Sequence, residues 1–190
     1  MIAAVLLAAG LARRFGGSKL IVPLRGEPLV RHAVRSLGHA TSVDDVWVVL
    51  GFEAASVRDA LSDMDVHFVE HAGYVEGLGS SIAAGVTALP AACDATIIAL
   101  GDQPFIPSAT FDALVSAWKQ GGAEIVATRY RGVPANPVLF ARATFPELRG
   151  LRGDAGARGV VSADATRVRW LDVDLPVPSD VDTREDLASL

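Results

Sequence analysis

The sequence is poor in cysteine, in excess positive charge and in long apolar stretches. Cys93 is its one cysteine, so no internal disulfide can form and a reducing compartment is favoured. The formal net charge is −5, with 17 basic and 22 acidic residues, whereas a general nucleic-acid binder is normally basic. No apolar run approaches the roughly 18 residues that a membrane-spanning helix needs, and the apolar N-terminal run lacks the preceding Lys or Arg of a secretory signal. These absences predict a soluble, cytoplasmic protein with no nucleic-acid or membrane partner.

The composition is that of a well-packed globular domain. Apolar residues make up 51% of the 190 residues and charged residues 21%, which argues against disorder. A chain of this length suits one domain and can bury roughly 70% of the surface of its unfolded state. The sequence shows no internal repeat and no linker rich in Pro, Gly or Ser. We therefore expect a single domain over residues 1–190.

Short, fully apolar runs alternate with amphipathic stretches along the chain. Strands are predicted at residues 2–6, 46–50, 66–69, 96–100 and 124–129, and helices at residues 53–62, 80–89 and 107–119. This alternation predicts an α/β fold of three layers, in which helices cover both faces of a mostly parallel sheet. Ligands of such sheets bind beyond the carboxyl ends of the strands. The segments after the strands at 2–6 and 96–100 should therefore lie on one edge of the sheet.

Residues 7–19 follow the first strand and combine small side chains with positive charge. The small residues are Ala8, Ala9, Gly10 and Ala12, and the cations are Arg13, Arg14 and Lys19. Small side chains let backbone N–H groups approach a polyanion, while Arg and Lys supply the countercharge. The spacing is not that of a Walker A loop, because Ser18 precedes Lys19, nor that of the dinucleotide fingerprint Gly-x-Gly-x-x-Gly. The segment is either a triphosphate-binding loop or an ordinary strand-to-helix connection with incidental surface charge.

Two carboxylates stand where an apolar stretch gives way to a turn or a helix. Asp102 follows the strand at 96–100 within Gly-Asp-Gln-Pro. A carboxylate there would either bind Mg²⁺ together with phosphate oxygens or serve as a turn residue or helix N-cap. Asp182 precedes a predicted C-terminal helix and, taken alone, is explained by helix capping.

Two glycine-containing turns are further candidates for ligand contacts. Gly77 and Gly79 leave the backbone open beside Ser80 and Ser81, which place hydroxyl and N–H groups at a predicted helix start. Such a start binds anions or the polar groups of a base, although a simple capped helix explains the same residues. The Gly-Asp-Ala-Gly turn at residues 153–156 leads to Arg158, which would hold a phosphate or order the loop.

Several stretches, in order along the chain, resemble those of the molybdenum cofactor cytidylyltransferase family. They are Leu-Ala-Ala-Gly-x-x-x-Arg-Phe-Gly-x-x-Lys at 7–19, Gly-Leu-Gly-Ser-Ser at 77–81, Gly-Asp-Gln-Pro at 101–104, Pro-Val-Leu-Phe at 137–140, Gly-Asp-Ala-Gly-Ala-Arg at 153–158 and Asp-x-Asp-Thr-x-x-Asp-Leu at 180–187. The chain departs from the family pattern at Ala12, where Ser is usual, at His71 in place of Asn, at Asn136 in place of His, and at Arg184 in place of Pro.

The resemblance implies a Rossmann-like fold of the nucleotide-diphospho-sugar transferase type and a set of functional residues. Arg14, Lys19 and Asp102 would be catalytic. The nucleotide-binding residues would be Leu7, Ala8, Ala9, Gly10, Arg14, Lys19, Gly77, Ser80 and Ser81. Asp102 and Asp182 would hold Mg²⁺, with Asp180 as the alternative second ligand, and Asn136 and Arg158 would contact the acceptor.

The implied reaction transfers CMP from CTP to the phosphate of molybdopterin and releases pyrophosphate. The implied partners are CTP, the molybdenum cofactor and a client molybdoenzyme. Family members that use CTP carry Leu-Ala-Ala-Gly, as at residues 7–10 here, whereas those that use GTP usually carry Leu-Ala-Gly-Gly. Three alternatives stay open: guanylyl transfer to the same cofactor, transfer to another phosphorylated small molecule such as a sugar phosphate, and a non-catalytic carrier that escorts the cofactor to a molybdoenzyme.

Overall fold

A seven-stranded sheet forms the centre of the molecule in a computed structural model that describes residues 1–12 and 14–190. The strands of this sheet are β1 (Ile2–Ala8), β4 (Asp45–Leu50), β5 (His67–Glu70), β6 (Ala95–Leu100), β7 (Ile125–Tyr130), β8 (Val133–Ala141) and β9 (Val168–Val173). Two short strands, β2 (Pro23–Leu24) and β3 (Glu27–Pro28), pair with each other as a separate hairpin. The strand order of the large sheet is β5-β4-β1-β6-β8-β7-β9. Every neighbouring pair in it is parallel except those of β8, which runs antiparallel between β6 and β7.

Helices cover both faces of this sheet. They are α1 (Leu29–Gly38), α2 (Ala54–Ala60), α3 (Leu78–Ala88), α4 (Ser108–Lys119), α5 (Phe145–Arg149), α6 (Arg158–Ala163) and α7 (Arg184–Ala188). Within the part of the chain that the structure describes, none of them has both the length and the apolar character needed to cross a membrane.

Alternate residues of β1 face two separate cores, and every residue of the strand is buried. Leu6 belongs to the core under α1, α2 and α4, whereas Val5 and Leu7 belong to the core under α3, α5 and α6. A strand with apolar side chains on both faces needs cover on both sides, which the two helical layers provide. The predicted three-layer α/β/α fold with a mostly parallel sheet is therefore confirmed.

The predicted elements are all present, but several others were not predicted: β2, β3, α1, β8, α5, α6 and β9. The helix predicted at 80–89 begins at Leu78 and ends at Ala88. Strand β8 contains Pro134 and Pro137, and proline disfavours a central strand because it has no N–H to donate. The register against β7 shifts between Ala127 and Thr128, so that the segment with Pro137 is accommodated by an irregularity in the pairing.

The carboxyl ends of β1 and β6 meet at one edge of the sheet, as predicted. Leu7 pairs with Leu100, and the N–H of Gly101 donates to the carbonyl of Leu7 at 3.0 Å. Since β8 is antiparallel to β6, the beginning of β8 lies at this same edge. The loop after β1, the turn after β6 and the first residues of β8 thus surround one region of the surface.

Candidate active site

The loop after β1 folds back on itself before a short 3₁₀ turn, Lys19–Ile21. The N–H groups of Phe15 and Gly16 donate to the carbonyl of Ala12 at 3.0 and 3.2 Å. Ala12 has φ of +46°, a left-handed conformation that is uncommon for a residue with a side chain. The buried Phe15 ring anchors the loop on the core, while Arg13 lies outside the described residues. The loop thereby leaves the backbone of Gly10 exposed.

This loop forms one wall of a cavity of about 500 Å³ at the edge of the sheet. Of the predicted functional residues, Leu7, Ala9, Gly10, Arg14, Lys19, Gly77, Ser81, Asp102, Asp180 and Asp182 line it. Ala8 and Ser80 are not part of its lining, and their contacts with a nucleotide stay a prediction. Ala8 packs in the core under α1, and the Ser80 hydroxyl donates to the carbonyl of Gly77 at 2.8 Å and lies 3.0 Å from Nε2 of His71. Both residues support the cavity wall from behind.

Lys19 joins the loop to the two predicted metal ligands. Its Nζ atom donates to Oδ2 of Asp102 at 2.6 Å and to Oδ1 of Asp182 at 3.0 Å. The Lys19 side chain is only 10% exposed. Burial works against its charged form, but Asp102 and Asp182 together outweigh this and raise the pKa of Lys19. Since both oxygens contact one nitrogen, the carboxylates lie well inside the roughly 8 Å beyond which one Mg²⁺ could not reach both.

Neither carboxylate serves as a helix cap, although Asp102 does lie in the turn after β6, as its competing explanation also allowed. Helix α4 begins at Ser108, well after Asp102, with Pro107 at its N-cap. Thr183 caps α7 in a capping box with Asp186, whose carboxylate accepts the N–H groups of Thr183 and Asp182. The Asp182 side chain is therefore available to bind Lys19 and, through its other oxygen, Nη2 of Arg14 at 2.7 Å.

Asp180 lines the same cavity but, as a whole residue, is more exposed than Asp182. Its Oδ1 atom accepts a hydrogen bond from Nε2 of the buried Gln103 at 2.7 Å. Burial raises the pKa of Asp180; the Gln103 hydrogen bond opposes this rise, and the charges of Asp102 and Asp182 add to it. Asp180 is thus hydrogen-bonded to Gln103, whereas Asp182 shares the ammonium group of Lys19 with Asp102.

The donor set of the cavity fits a hard divalent cation that arrives with phosphate. Four carboxylates line the cavity, those of Asp102, Asp154, Asp180 and Asp182, against the positive charges of Arg14 and Lys19 among the described residues. Mg²⁺ prefers one or two carboxylates, with phosphate oxygens and water completing its octahedron. The described residues contain no ready-made metal cluster of three His, Cys, Asp or Glu side chains. The residues present therefore suit a cation that is completed by its ligand.

The start of α3 forms the wall of the cavity opposite Lys19, and glycine is needed there for close packing. A Cβ at Gly77 would lie 2.3 Å from Oδ1 of Asp154, and one at Gly79 would lie 2.9 Å from the carbonyl oxygens of Arg152 and Gly153. The N–H of Gly79 donates to the Gly153 carbonyl at 2.7 Å. These glycines were predicted to leave the backbone open for a ligand. In the structure, their lack of a side chain lets the 152–154 loop pack against the start of α3.

A second cavity, of about 570 Å³, adjoins the first. The two share Leu7, Leu78, Leu100 and Asp154 in their linings. Both predicted acceptor residues line the second cavity: Asn136 near the start of β8 and Arg158 at the start of α6. Apart from Ala8 and Ser80, the predicted nucleotide and acceptor residues therefore line two adjoining cavities at the edge of the sheet.

Residues absent from the predicted set also contribute to these walls. Asp154 lies at the junction of the two cavities, Tyr74 lines the first and Trp170 lines the second. Asp154 belongs to the Gly-Asp-Ala-Gly turn and follows the same Gly-Asp pattern as Asp102, which is a usable sequence signal. No local pattern distinguishes Tyr74 or Trp170 from ordinary core residues.

The chain matches the MobA-like NTP transferase domain family over residues 4–169. The purine catabolism protein PucB of Bacillus subtilis is 30% identical over 169 residues, which cover 84% of this chain and 80% of PucB. The bifunctional protein GlmU of Kineococcus radiotolerans is 34% identical over 169 residues, covering 86% of this chain but 32% of GlmU, so the chain spans about a third of that relative. A protein named probable molybdenum cofactor guanylyltransferase, from Thermococcus gammatolerans, is 28% identical over 141 residues, or 74% of this chain and 69% of that protein.

Solved structures share the whole fold. The crystal structure of Rv0371c from Mycobacterium tuberculosis H37Rv superposes with a TM-score of 0.88 at 29% identity, covering 99% of this chain and 95% of Rv0371c. A second structure of Rv0371c is a complex with manganese, with a TM-score of 0.84 at 28% identity over 100% of this chain and 97% of that protein.

Proposed function

The chain belongs to the MobA-like NTP transferase domain family and is a nucleotidyltransferase, and from this premise we propose that it transfers CMP from CTP to the phosphate of molybdopterin. The observation that carries the proposal is the junction of two cavities beside Lys19, Asp102 and Asp182. One cavity offers a small-residue loop and cations for a triphosphate, and the other offers space for a phosphorylated acceptor. We propose residues 1–190 as one catalytic unit.

In this reaction a bond forms between an oxygen of the acceptor phosphate and the α-phosphorus of CTP. The bond from the α-phosphorus to the oxygen that bridges to the β-phosphorus breaks, and its electron pair leaves with pyrophosphate. The chain supplies position and charge: Lys19 and Arg14 stabilise the leaving group, and the Gly10 backbone lies against the triphosphate. A phosphate nucleophile is already ionised near neutral pH, so the site requires no general base.

A divalent cation, for which the sequence predicts Mg²⁺, would be held by Asp102 and Asp182 and would supply positive charge to the phosphate oxygens. The manganese complex of the related Rv0371c supports the expectation that a divalent cation takes part. Asp102 and Asp182 both line the cavity, and Asp180 beside them is hydrogen-bonded to Gln103.

The test is to mix the purified protein, in the presence of Mg²⁺, with molybdopterin and each of CTP, GTP, ATP and UTP and to measure pyrophosphate. We expect release with CTP and acceptor together and much less with the other three nucleotides. Equal initial rates with CTP and GTP at limiting concentration would contradict the assignment of the nucleotide. No release with any nucleotide, combined with tight binding of the cofactor, would favour the non-catalytic carrier.

Guanylyl transfer is the second candidate, because one relative is named as a guanylyltransferase. Residue 9 separates the two. The Ala9 side chain is buried, and its Cβ would lie 2.8 Å from a Cβ placed on Gly51, so the methyl fills the cavity wall. Since one methyl changes discrimination by about 1–3 kcal/mol, Ala9→Gly should relax the preference for CTP over GTP without inverting it. The measurement is the ratio of kcat/KM for the two nucleotides in wild type and variant; an unchanged ratio would remove Ala9 from the specificity argument.

A further inference from the structure

We propose that Lys19 is an internal counter-ion that keeps a divalent cation off Asp102 and Asp182 until a nucleoside triphosphate draws its ammonium group away. Nucleotide and metal then bind cooperatively, each weakly alone. The inference rests on the metal site under the proposed function and adds the order in which that site is assembled.

The contacts of Lys19 occupy the oxygen atoms that a cation would need. Oδ2 of Asp102 and Oδ1 of Asp182 both accept from Nζ, at 2.6 and 3.0 Å, in a setting where the Lys19 side chain is 10% exposed. A metal ion that entered here would meet a positive charge in its own position and would have to displace two charge-assisted hydrogen bonds. Metal alone should therefore bind poorly.

The same ammonium group lines the cavity together with Gly10, where the triphosphate is proposed to lie. The oxygens of a triphosphate would offer Lys19 equivalent anionic partners, so its ammonium group could change partners while it stays in the cavity. Arg14 bonds the other oxygen of Asp182 and has a side chain 74% exposed, so it can transfer to phosphate with little loss of buried contact. Once Lys19 and Arg14 bind phosphate instead, the carboxylates of Asp102 and Asp182 lie side by side without a counter-ion. Two negative charges this close repel each other and favour binding of a cation between them.

The negative charge of the cavity couples nucleotide binding to metal binding, so that each raises the affinity for the other. Asp102, Asp154, Asp180 and Asp182 disfavour a triphosphate that arrives without a cation. Nucleotide raises the affinity for metal by freeing the carboxylates, and linkage requires that metal raises the affinity for nucleotide by the same factor. Lys19 acts here as a positioning residue, separate from its contact with the leaving group.

The test measures Mn²⁺ binding by the loss of the free-ion EPR signal, with no acceptor present and thus no turnover. CTP complexes Mn²⁺ without protein, so the signal lost to CTP alone is measured separately and subtracted. After this correction, wild type should bind Mn²⁺ weakly alone and at least about tenfold more tightly with CTP. Lys19→Met should bind Mn²⁺ alone at least about tenfold more tightly than wild type, because its two carboxylates lack their counter-ion. Lys119→Met, which removes a charge from the exposed end of α4, is the matched control and should behave as wild type.

A second measurement, of the melting temperature, keeps the test decisive if Lys19→Met is less stable than wild type. Its melting temperature in EDTA should fall below that of wild type and should recover on adding Mn²⁺, whereas wild type should not respond to Mn²⁺ alone. Adding Asp102→Asn to Lys19→Met should abolish the gain in Mn²⁺ affinity. The proposal is overturned if wild type binds Mn²⁺ equally well with and without CTP, or if Lys19→Met binds it no better than Lys119→Met. Because no transfer is measured, a negative result with molybdopterin leaves this test intact.

Discussion

Lys19 connects the loop after β1 to the carboxylates of Asp102 and Asp182. In the sequence it closes the small-residue loop, and in the structure it binds two aspartates from distant parts of the chain. A charge with two such partners contributes to stability as well as to activity, whereas the sequence alone predicts only the catalytic role.

Lys19→Ala should therefore lower both quantities. We expect a loss of more than about tenfold in kcat/KM, equivalent to ~1.4 kcal/mol, because the developing charge on pyrophosphate loses a cation. We expect a loss of about 1–3 kcal/mol in the free energy of unfolding, because two adjacent carboxylates lose their partner. Steady-state kinetics and urea unfolding in EDTA check this, with Lys119→Ala as the control. Retention of more than about a tenth of wild-type activity would show that Lys19 is not a principal phosphate ligand.

Gly10 provides a test that separates binding from folding. Nothing lies within 4 Å of a Cβ built on Gly10, and its φ is not in the left-handed range, so Gly10→Ala should melt like wild type. The new methyl would project where the backbone is proposed to approach the triphosphate, and nucleotide affinity should fall by about tenfold. Gly38→Ala at the end of α1 also has open space around its Cβ and is the control. Equal nucleotide affinity in the two variants, measured by calorimetry, would place the triphosphate elsewhere.

Among the elements, the contact between α3 and the 152–154 loop fixes the position of the wall that the two cavities share. The carbonyl of Gly153 accepts the N–H of Gly79, and this backbone contact brings Asp154 to the boundary of both cavities. The contact is formed by backbone atoms, so it depends on the absence of a side chain at Gly79 more than on any side-chain chemistry.

Gly79→Ala should displace the loop, because its methyl would lie 2.9 Å from two carbonyl oxygens. We expect a loss of about 1–3 kcal/mol in the free energy of unfolding and a higher KM for the acceptor. Gly159→Ala, in α6 with open space around its Cβ, should be neutral or slightly stabilising. Chemical denaturation and acceptor kinetics of both variants measure the difference. A Gly79→Ala protein as stable as Gly159→Ala would mean that the loop is not held by this contact.

At the scale of the whole molecule, hydrogen bonds to carboxylates predict acid sensitivity. The pKa values of Glu27, Asp63, Asp94, Asp112, Glu147, Asp164, Asp172 and Asp186 are all lowered. For Asp63 the hydrogen bond from Arg31 lowers the pKa to about 2. A carboxyl with a folded-state pKa below its unfolded value adds stability above the unfolded pKa, and this is lost as the pH falls through the folded pKa. Asp180 has the opposite sign, because burial raises its pKa, and it offsets a part of the loss.

The melting temperature should therefore fall steeply between about pH 4 and pH 2. Asp63→Asn should melt below wild type at pH 7, and the gap between the two proteins should close toward pH 2, where the wild-type carboxylate loses its charge. Thermal unfolding followed by circular dichroism over this range is the measurement. A constant gap from pH 7 to pH 2 would show that the Arg31–Asp63 pair does not contribute through its charge.

The three-layer architecture and the place of residues 7–19 within it are predictable from the sequence. Runs of apolar residues that alternate with amphipathic helices leave few arrangements other than a covered parallel sheet, and the order of strand and loop puts residues 7–19 and Asp102 on one edge. These features depend on periodicity and on neighbours along the chain, which are visible in the residues themselves.

The contacts of Asp182 and Asp180, and the orientation of the predicted residues toward the cavity, depend on the tertiary structure. The family resemblance already favours Asp182 over Asp180 as the partner of Asp102. Its contact with Lys19, however, spans 163 positions, and Gln103 binds Asp180 instead; no local pattern shows either contact. Ser80 turns its hydroxyl inward because His71 and the carbonyl of Gly77 lie there. Asn136 reaches the edge because β8 runs antiparallel, in spite of its prolines. In each case the outcome depends on which segments pack together, and pairing between distant segments is set by the whole core.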